Sequence, residues 1–304
     1  MHPGKKLREL ASAKTVGLPG AFNGLVARAV ADAGFEAAYV SGAAVTASAG
    51  APDIGLLSVQ EFTRVIGEVT RSGGLPTIAD ADTGFGEGEM VVRTVHEYDA
   101  AGAAGLHIED QVFPKRCGHL DGKTLEPADV FAGKVDRAVG ASRACSGGEF
   151  IVCARTDAAG VTGLADAIDR AKLYIDAGAD MIFPEGLRTE DEFGLFAEAL
   201  RGHKDGVLLL ANMTEFGKTP MLTLDRFGEL GYGCVIWPVT TLRAAMGEVT
   251  RVLATIREQG SPEARLGEMQ TRAELYRLLR YTPGEEWSFP TPASGSPPPP
   301  GRPG

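Results

Sequence analysis

The stretch Leu106–Leu120, LHIEDQVFPKRCGHL, holds the densest chemistry in the chain. Leu106, His107 and Ile108 read as a buried strand. It turns polar at once at Glu109, Asp110 and Gln111, then reaches a thiol, Cys117, flanked by Lys115, Arg116 and His119. Cations beside a thiol lower its pKa and prepare it for proton transfer or attack. Other apolar runs end the same way: in Ser41, in Asp80 and Asp82, in Arg155, in Glu185, and in Asn212 and Thr214. Gathered in one place, Asp80, Asp82, Glu109 and Glu185 would repel one another unless a cation balanced them. A small set of oxygen donors suits Mg²⁺, or similarly Mn²⁺, which keeps waters and takes substrate oxygens. His107 lies inside a strand and reads as a packed core histidine, and no His pair has zinc-like spacing. Arg155, with Arg243 and Arg272, suits carboxylate groups on a ligand. Each residue alone has a plainer reading: an Asp after a strand is commonly a turn or cap, Arg155 a surface ion pair, the Cys117 loop a basic turn. Only a scaffold that brings the strand ends together makes them a site.

The patterning supplies that scaffold. Apolar runs at Val16–Leu18, Ala37–Val40, Pro76–Ala79, Ala104–Ile108, Phe150–Ala154, Asp180–Phe183, Val207–Ala211 and Cys234–Trp237 read as strands. Segments of helical spacing alternate with them, about seven before Pro238, including one opened by the Ser58/Glu61 capping box. The joints DAGFEAAYV, AAGAAGLHI, DAGADMIF and ELGYGCVI each place glycine just before a strand. Continuous apolar strands alternating with amphipathic helices imply a parallel sheet, and eight such units favour an α/β fold of the (βα)8, TIM-barrel type. No GxGxxG follows the first strand, which argues against dinucleotide binding. Gly118, Gly122 and the run Thr83-Gly84-Phe85-Gly86 would let the loops at the mouth act as a lid.

Beyond eight units, Leu242, Met246, Val249, Leu253 and Ile256 keep helical spacing, and a further helix carries Leu266, Met269, Ala273 and Tyr276. A barrel needs one helix after its last strand, so the surplus helix is expected to bury its apolar face on a neighbouring subunit. Residues 1–281 thus read as one barrel with C-terminal helices, and the Pro/Gly/Ser-rich 282–304 as a flexible tail. In 304 residues, 44% are hydrophobic and 23% charged, with a net charge of −10. So acidic a chain argues against nucleic-acid and anionic-membrane partners, though not against a small anionic substrate. The N-terminus has no apolar core of a secretory signal, and no run approaches the ~18 apolar residues of a membrane span. A cytoplasmic location is expected, with reduced thiols. Of the 4 cysteines, Cys153 and Cys234 read as core packing and Cys145 as incidental in a Ser/Gly-rich loop.

At these residues the chain resembles the isocitrate lyase/phosphoenolpyruvate mutase superfamily, within it the short bacterial 2-methylisocitrate lyase branch. The resemblance runs from about Lys5 to Tyr281 and is most specific at KRCGHL (Lys115–Leu120). YVSG at Tyr39, DADTGFG at Asp80, GLHIEDQ at Gly105, ARTDA at Ala154, FPE at Phe183, ANMTEFG at Ala211 and MQTRAELY at Met269 support it. It implies Mg²⁺ near Asp80 and Asp82 and a helix exchanged between subunits of a homotetramer. It implies substrate contacts from Ser41, Gly42, Gly118, Arg155, Glu185, Asn212, Thr214, Arg243 and Arg272, and a catalytic Cys117. Ala43 stands where the family often has glycine. The implied reaction is cleavage of a hydroxy tricarboxylate, 2-methylisocitrate, to pyruvate and succinate, as in propionate catabolism. Cys117 would be the general acid with Lys115 and His119 beside it, and Tyr39 or Glu109 the proton acceptor. Isocitrate lyase, other 2-hydroxy or 2-oxo diacid lyases and hydrolases, and a non-catalytic dicarboxylate-binding barrel are the alternatives. Cys117 argues against the phosphonate-forming mutases, which lack it.

Overall fold

The computed structural model describes residues 1–116, 122–217 and 219–287. Its parallel strands are β1 (Val16–Pro19), β2 (Ala38–Val40), β3 (Thr77–Asp80), β4 (Gly105–Glu109), β5 (Ile151–Thr156), β6 (Met181–Pro184), β7 (Leu208–Asn212) and β8 (Cys234–Trp237). From β2 to β8 each pairs with the next in chain order, and β1 pairs with β8. The remaining seam, β1 to β2, is bridged by Gly20 against Tyr39, with the Ala21 amide donating to the Tyr39 carbonyl at 2.8 Å. The sheet is therefore a nearly closed barrel, as the alternation of elements predicts.

The covering helices are α1 (Pro3–Ala13), α2 (Gly24–Asp32), α3 (Gly42–Ser48), α4 (Val59–Gly73), α5 (Glu89–Ala100), α6 (Ala128–Ser146), α7 (Leu164–Asp176), α8 (Glu190–Leu200) and α9 (Leu224–Leu230), followed by α10 (Thr240–Gln259) and α11 (Arg272–Leu279). The Ser58/Glu61 capping box forms at the start of α4. Two helices go beyond the seven expected before Pro238. The first is α1, whose polar sequence hides its function: Pro3 sits in its first turn, and Leu7 is fully buried in the barrel interior, closing one end. The second is α3, built of small residues and capped by Ser41, whose hydroxyl accepts from the Ala44 amide. Helix α6 also runs on to Ser146, so Cys145 lies in its last turn rather than in a loop.

Two apolar layers result. One lies between the barrel and the helices, with Phe62, Phe131, Tyr174, Phe193 and Phe227 among its large members. The other fills the barrel, where Leu18, Ile78, Cys153, Met181, Leu210 and Cys234 are buried together. Cys153 and Cys234 are core residues, as expected.

The C-terminal helices are less well covered. Met246, Val249, Leu253 and Ile256 of α10 are exposed, and α11 packs on α2 without burying any residue fully. The Trp287 indole still donates to the Leu279 carbonyl at 3.1 Å. Among the described residues no helix is long and apolar enough to cross a membrane.

Candidate active site

Side chains alternate along a strand, so positions two apart share a face. Along each inward face the sequence changes from apolar to polar at the C-terminal end: Ile78 leads to Asp80 and Asp82, His107 to Glu109, Cys153 to Arg155, Phe183 to Glu185, and Leu210 to Asn212 and Thr214. The lower residues fill the barrel and the upper ones stand at its mouth, the end where barrel active sites form. One cavity there is lined by Tyr39, Ser41, Ala43, Asp80 and Lys115 on one side and Arg155, Glu185, Asn212, Thr214 and Arg243 on the other.

The first side is dense in carboxylates. Asp80 accepts from the Gly42 amide on Oδ2 and the Asp82 amide on Oδ1, both at 3.0 Å. Burial raises its carboxyl, but His107, Lys115, Arg155 and the Asp82 amide more than offset this and hold it below its ordinary value. Burial, with Asp80 alongside, pushes the Asp82 carboxyl up to about 6 despite the attraction of Lys115. The Lys115 ammonium touches Asp53 and lies 2.8 Å from Asp82 Oδ1. Glu109 Oε1 is buried without a hydrogen-bond partner, and burial drives the Glu109 carboxyl well above its usual range. Beneath them Tyr39 Oη and His107 Nε2 share a hydrogen bond of 2.7 Å, and burial lowers His107 to about 4, leaving it neutral.

The other side is organised by Arg155. Its Nε and Nη2 donate to Asp157, Nη1 lies 3.1 Å from Glu109 and Nη2 3.9 Å from Glu185, and the Phe183 ring lies 5.2 Å from its centre. Glu185 accepts from the Asn212 amide at 3.0 Å. Arg243, half-exposed at the rim, faces Glu215 at 3.6 Å. Phe183, Ile236, Pro238 and Val239 give the same cavity an apolar wall.

The phosphoenolpyruvate phosphomutase family model matches residues 7–257. The chain belongs to the phosphoenolpyruvate mutase/isocitrate lyase superfamily. It is 52% identical over 272 residues to "Probable 2-methylisocitrate lyase 1" of Corynebacterium glutamicum, covering 90% of this chain and 87% of that protein. Among solved structures it resembles 2,3-dimethylmalate lyase, with TM-score 0.83, 33% identity and 91% of each chain covered. It also resembles phosphonopyruvate hydrolase in complex with oxalate and Mg²⁺, with TM-score 0.79, 31% identity, and 91% of this chain and 95% of that one covered.

That phosphonopyruvate hydrolase structure holds Mg²⁺, and the donor set here fits such an ion. Asp80 and Asp82 are oxygen donors buried side by side at the mouth, where a cation would add to the charge balance that Lys115, 2.8 Å from Asp82 Oδ1, already supplies. Among the described residues no three His, Cys, Asp or Glu side chains form a ready cage.

Most of the residues expected from the superfamily resemblance meet at this mouth. Arg272 does not: it is exposed on α11, outside the cavity of its own subunit. Cys117, Gly118 and His119 lie outside the described residues. Three contributors carried no clear sequence signal. Asp53, in the loop between α3 and α4, holds Lys115. His107 read as core, and it is buried, but against Tyr39 and Asp80. Gln111 clamps the chain just before Cys117, exchanging two hydrogen bonds of 2.9 Å with the Arg116 backbone. A polar residue directly after Asp110 was the one available hint.

Proposed function

We propose that this chain is a Mg²⁺-dependent carbon–carbon lyase that cleaves 2-methylisocitrate to pyruvate and succinate. The observation that carries the reading is the 52% identity, over nine-tenths of the chain, to a protein of that name. The cavity agrees with it. Arginines on one side suit the carboxylates of the succinyl half. The wall of Phe183, Ile236, Pro238 and Val239 suits a substrate that carries a methyl group. Isocitrate, which lacks that methyl, fills such a wall less well.

Asp80 and Asp82 would hold the cation, which supplies Lewis-acid stabilisation of charge on the 2-oxo acid half when bound. The protein's own residues do the rest. Arg155, Arg243 and Asn212 orient the carboxylates. Tyr39 lines the cavity and, with its hydroxyl held protonated by burial, would take the substrate hydroxyl proton while passing its own to the neutral His107 Nε2, 2.7 Å away. The bond between the hydroxyl-bearing carbon and its succinyl neighbour then breaks, and its electron pair passes into the succinyl half as an enediolate. Cys117 returns one proton to that carbon as general acid. One proton leaves the substrate and one is delivered, so the products are pyruvate and succinate.

Incubation with Mg²⁺ and each of 2-methylisocitrate, isocitrate, 2,3-dimethylmalate and oxaloacetate, with products resolved by chromatography, tests this reading. Pyruvate and succinate should form fastest from 2-methylisocitrate, cease with EDTA and return with Mg²⁺. Cys117→Ser should lower turnover at least ~10²-fold with KM little changed. Absence of cleavage of any hydroxy acid would sink the proposal.

We also propose that α10 and α11 pack on other subunits, in a homotetramer with helix exchange. The exposed stripe Met246, Val249, Leu253 and Ile256 supports this, since a long row of bare apolar side chains on one helix marks an interface. A substrate role for Arg272 requires that arrangement, because within one subunit it stands away from the mouth. Light scattering should give four times the chain mass, and Leu253→Glu should yield smaller species. A monomer in solution would remove both the exchange and Arg272.

A further inference from the structure

We propose that Lys123 and Asp157 are positioning residues that keep the charge of Arg155 available to an anionic substrate; the inference rests on the lyase reading for the substrate it names. Arg155 is ringed by Glu109, Asp157 and Glu185. Asp157, fully buried, takes the Nε and Nη2 protons side-on at 3.0 and 3.2 Å. With Phe183 beneath, this fixes the plane of the guanidinium and turns Nη1 away from Asp157. The same contact has a cost. An arginine neutralised by its own carboxylate partner has little attraction left for a ligand carboxylate.

Lys123 resolves that conflict. Its Nζ lies 2.8 Å from Asp157 Oδ1, the oxygen that also accepts from Arg155 Nη2, and its side chain is 3% exposed. Lysine is seldom buried so deeply without a paired charge. One cation, Lys123, balances Asp157, so Asp157 orients Arg155 without cancelling it. The Asp157 backbone is fixed separately, its amide donating to Asp110 Oδ1 at 2.9 Å, so the carboxylate itself is held in place from behind. Neither residue lines the cavity; both act through Arg155.

The test is a charge-balance cycle, read by steady-state kinetics on 2-methylisocitrate and by calorimetric binding of succinate. Lys123→Met should raise KM and the succinate Kd by ~10-fold or more, with kcat within ~3-fold of wild type. Lys123→Arg should restore both to within ~3-fold. The decisive variant is the double Lys123→Met/Asp157→Asn. It removes a positive and a negative charge together and keeps an acceptor for Arg155, so both constants should return towards wild type. A merely structural ammonium would give falling stability without the KM change, and no rescue by the double variant. Unchanged KM and Kd in Lys123→Met, or a double variant that folds by circular dichroism yet binds succinate no better than the single, overturns the proposal. If Lys123→Met does not fold, the double variant, which loses one charge of each sign, decides alone. Wild-type protein that binds succinate but does not cleave 2-methylisocitrate would refute the lyase reading and leave the binding arm intact.

Discussion

Replacing Lys115 with methionine should stop turnover, by ~10³-fold or more, and should also destabilise the protein. The ammonium is buried, with its side chain 2% exposed, in contact with Asp53 and Asp82. Its pKa is driven up: burial alone would lower it, but Glu109, Asp80, Asp82 and Asp53 outweigh burial. Methionine fills the same space and removes the charge, leaving buried carboxylates facing one another. Breaking a buried ion pair on one side costs about 3–5 kcal/mol, which for a chain of this size lowers Tm by roughly 10 °C. The loss should be partly reversible in a telling way. A divalent cation binding the folded carboxylates stabilises the folded state by mass action, so added Mg²⁺ should raise the variant's Tm more than the wild type's. Thermal unfolding followed by circular dichroism, with and without Mg²⁺, reads both effects. A Lys115→Met protein with the wild-type Tm would show that the carboxylates do not depend on this ammonium.

Lys115 also shows where sequence reading stops. The run KRCGHL placed cations next to Cys117, and adjacency in the chain suggested that their charge acts on the thiol. In the folded chain the ammonium is instead engaged by Asp53, which is 62 residues away, and by Asp82. Nothing local marks Asp53 as its partner. The barrel was legible for a physical reason: strands buried on both faces must be apolar throughout, and each ends where its inward face meets water. That change from apolar to polar marks Asp80, Glu109, Arg155, Glu185 and Asn212 as lying at one end of the barrel. Residues whose task is to hold other residues were not legible. Asp157 follows Arg155 by two and looks like a strand-end cap; Lys123 looks like a surface lysine beside Gly122. Their burial and pairing exist only once β4 and β5 lie side by side. Helix α1 was missed because its apolar stripe is short, with Leu7 fully buried and Leu10 and Ala11 packed beside it.

Gly42→Ala should be the most damaging conservative substitution at the mouth. Gly42 opens α3 directly after its cap, Ser41, and its amide donates to Asp80 Oδ2 at 3.0 Å. A methyl group built there would sit 2.7 Å from that oxygen, 3.1 Å from Asp80 Cγ and 3.3 Å from Asp82 Oδ1. Its backbone is not in the left-handed region, so the objection is space, not conformation. The oxygen cannot move far, because Asp80 is held at Oδ1 by the Asp82 amide and surrounded by buried neighbours. Relief must therefore come from displacing the two carboxylates proposed to hold the cation. Misplacing a reacting group by ~1 Å can cost on the order of 10²-fold in rate, while overpacking costs only about 1–3 kcal/mol of stability. The expected result is a folded protein with kcat/KM lowered ~10²-fold and a higher Mg²⁺ requirement in titrations of activity. The neighbouring position is the internal control. Ala43 carries a methyl where the superfamily resemblance suggested glycine, and it lines the cavity. Ala43→Gly should then change kcat/KM by less than ~3-fold, since it removes a methyl without freeing or moving a carboxylate. If Gly42→Ala were as active as Ala43→Gly, the close approach of Gly42 to Asp80 would have no catalytic meaning. The two carboxylates would then not be the cation site.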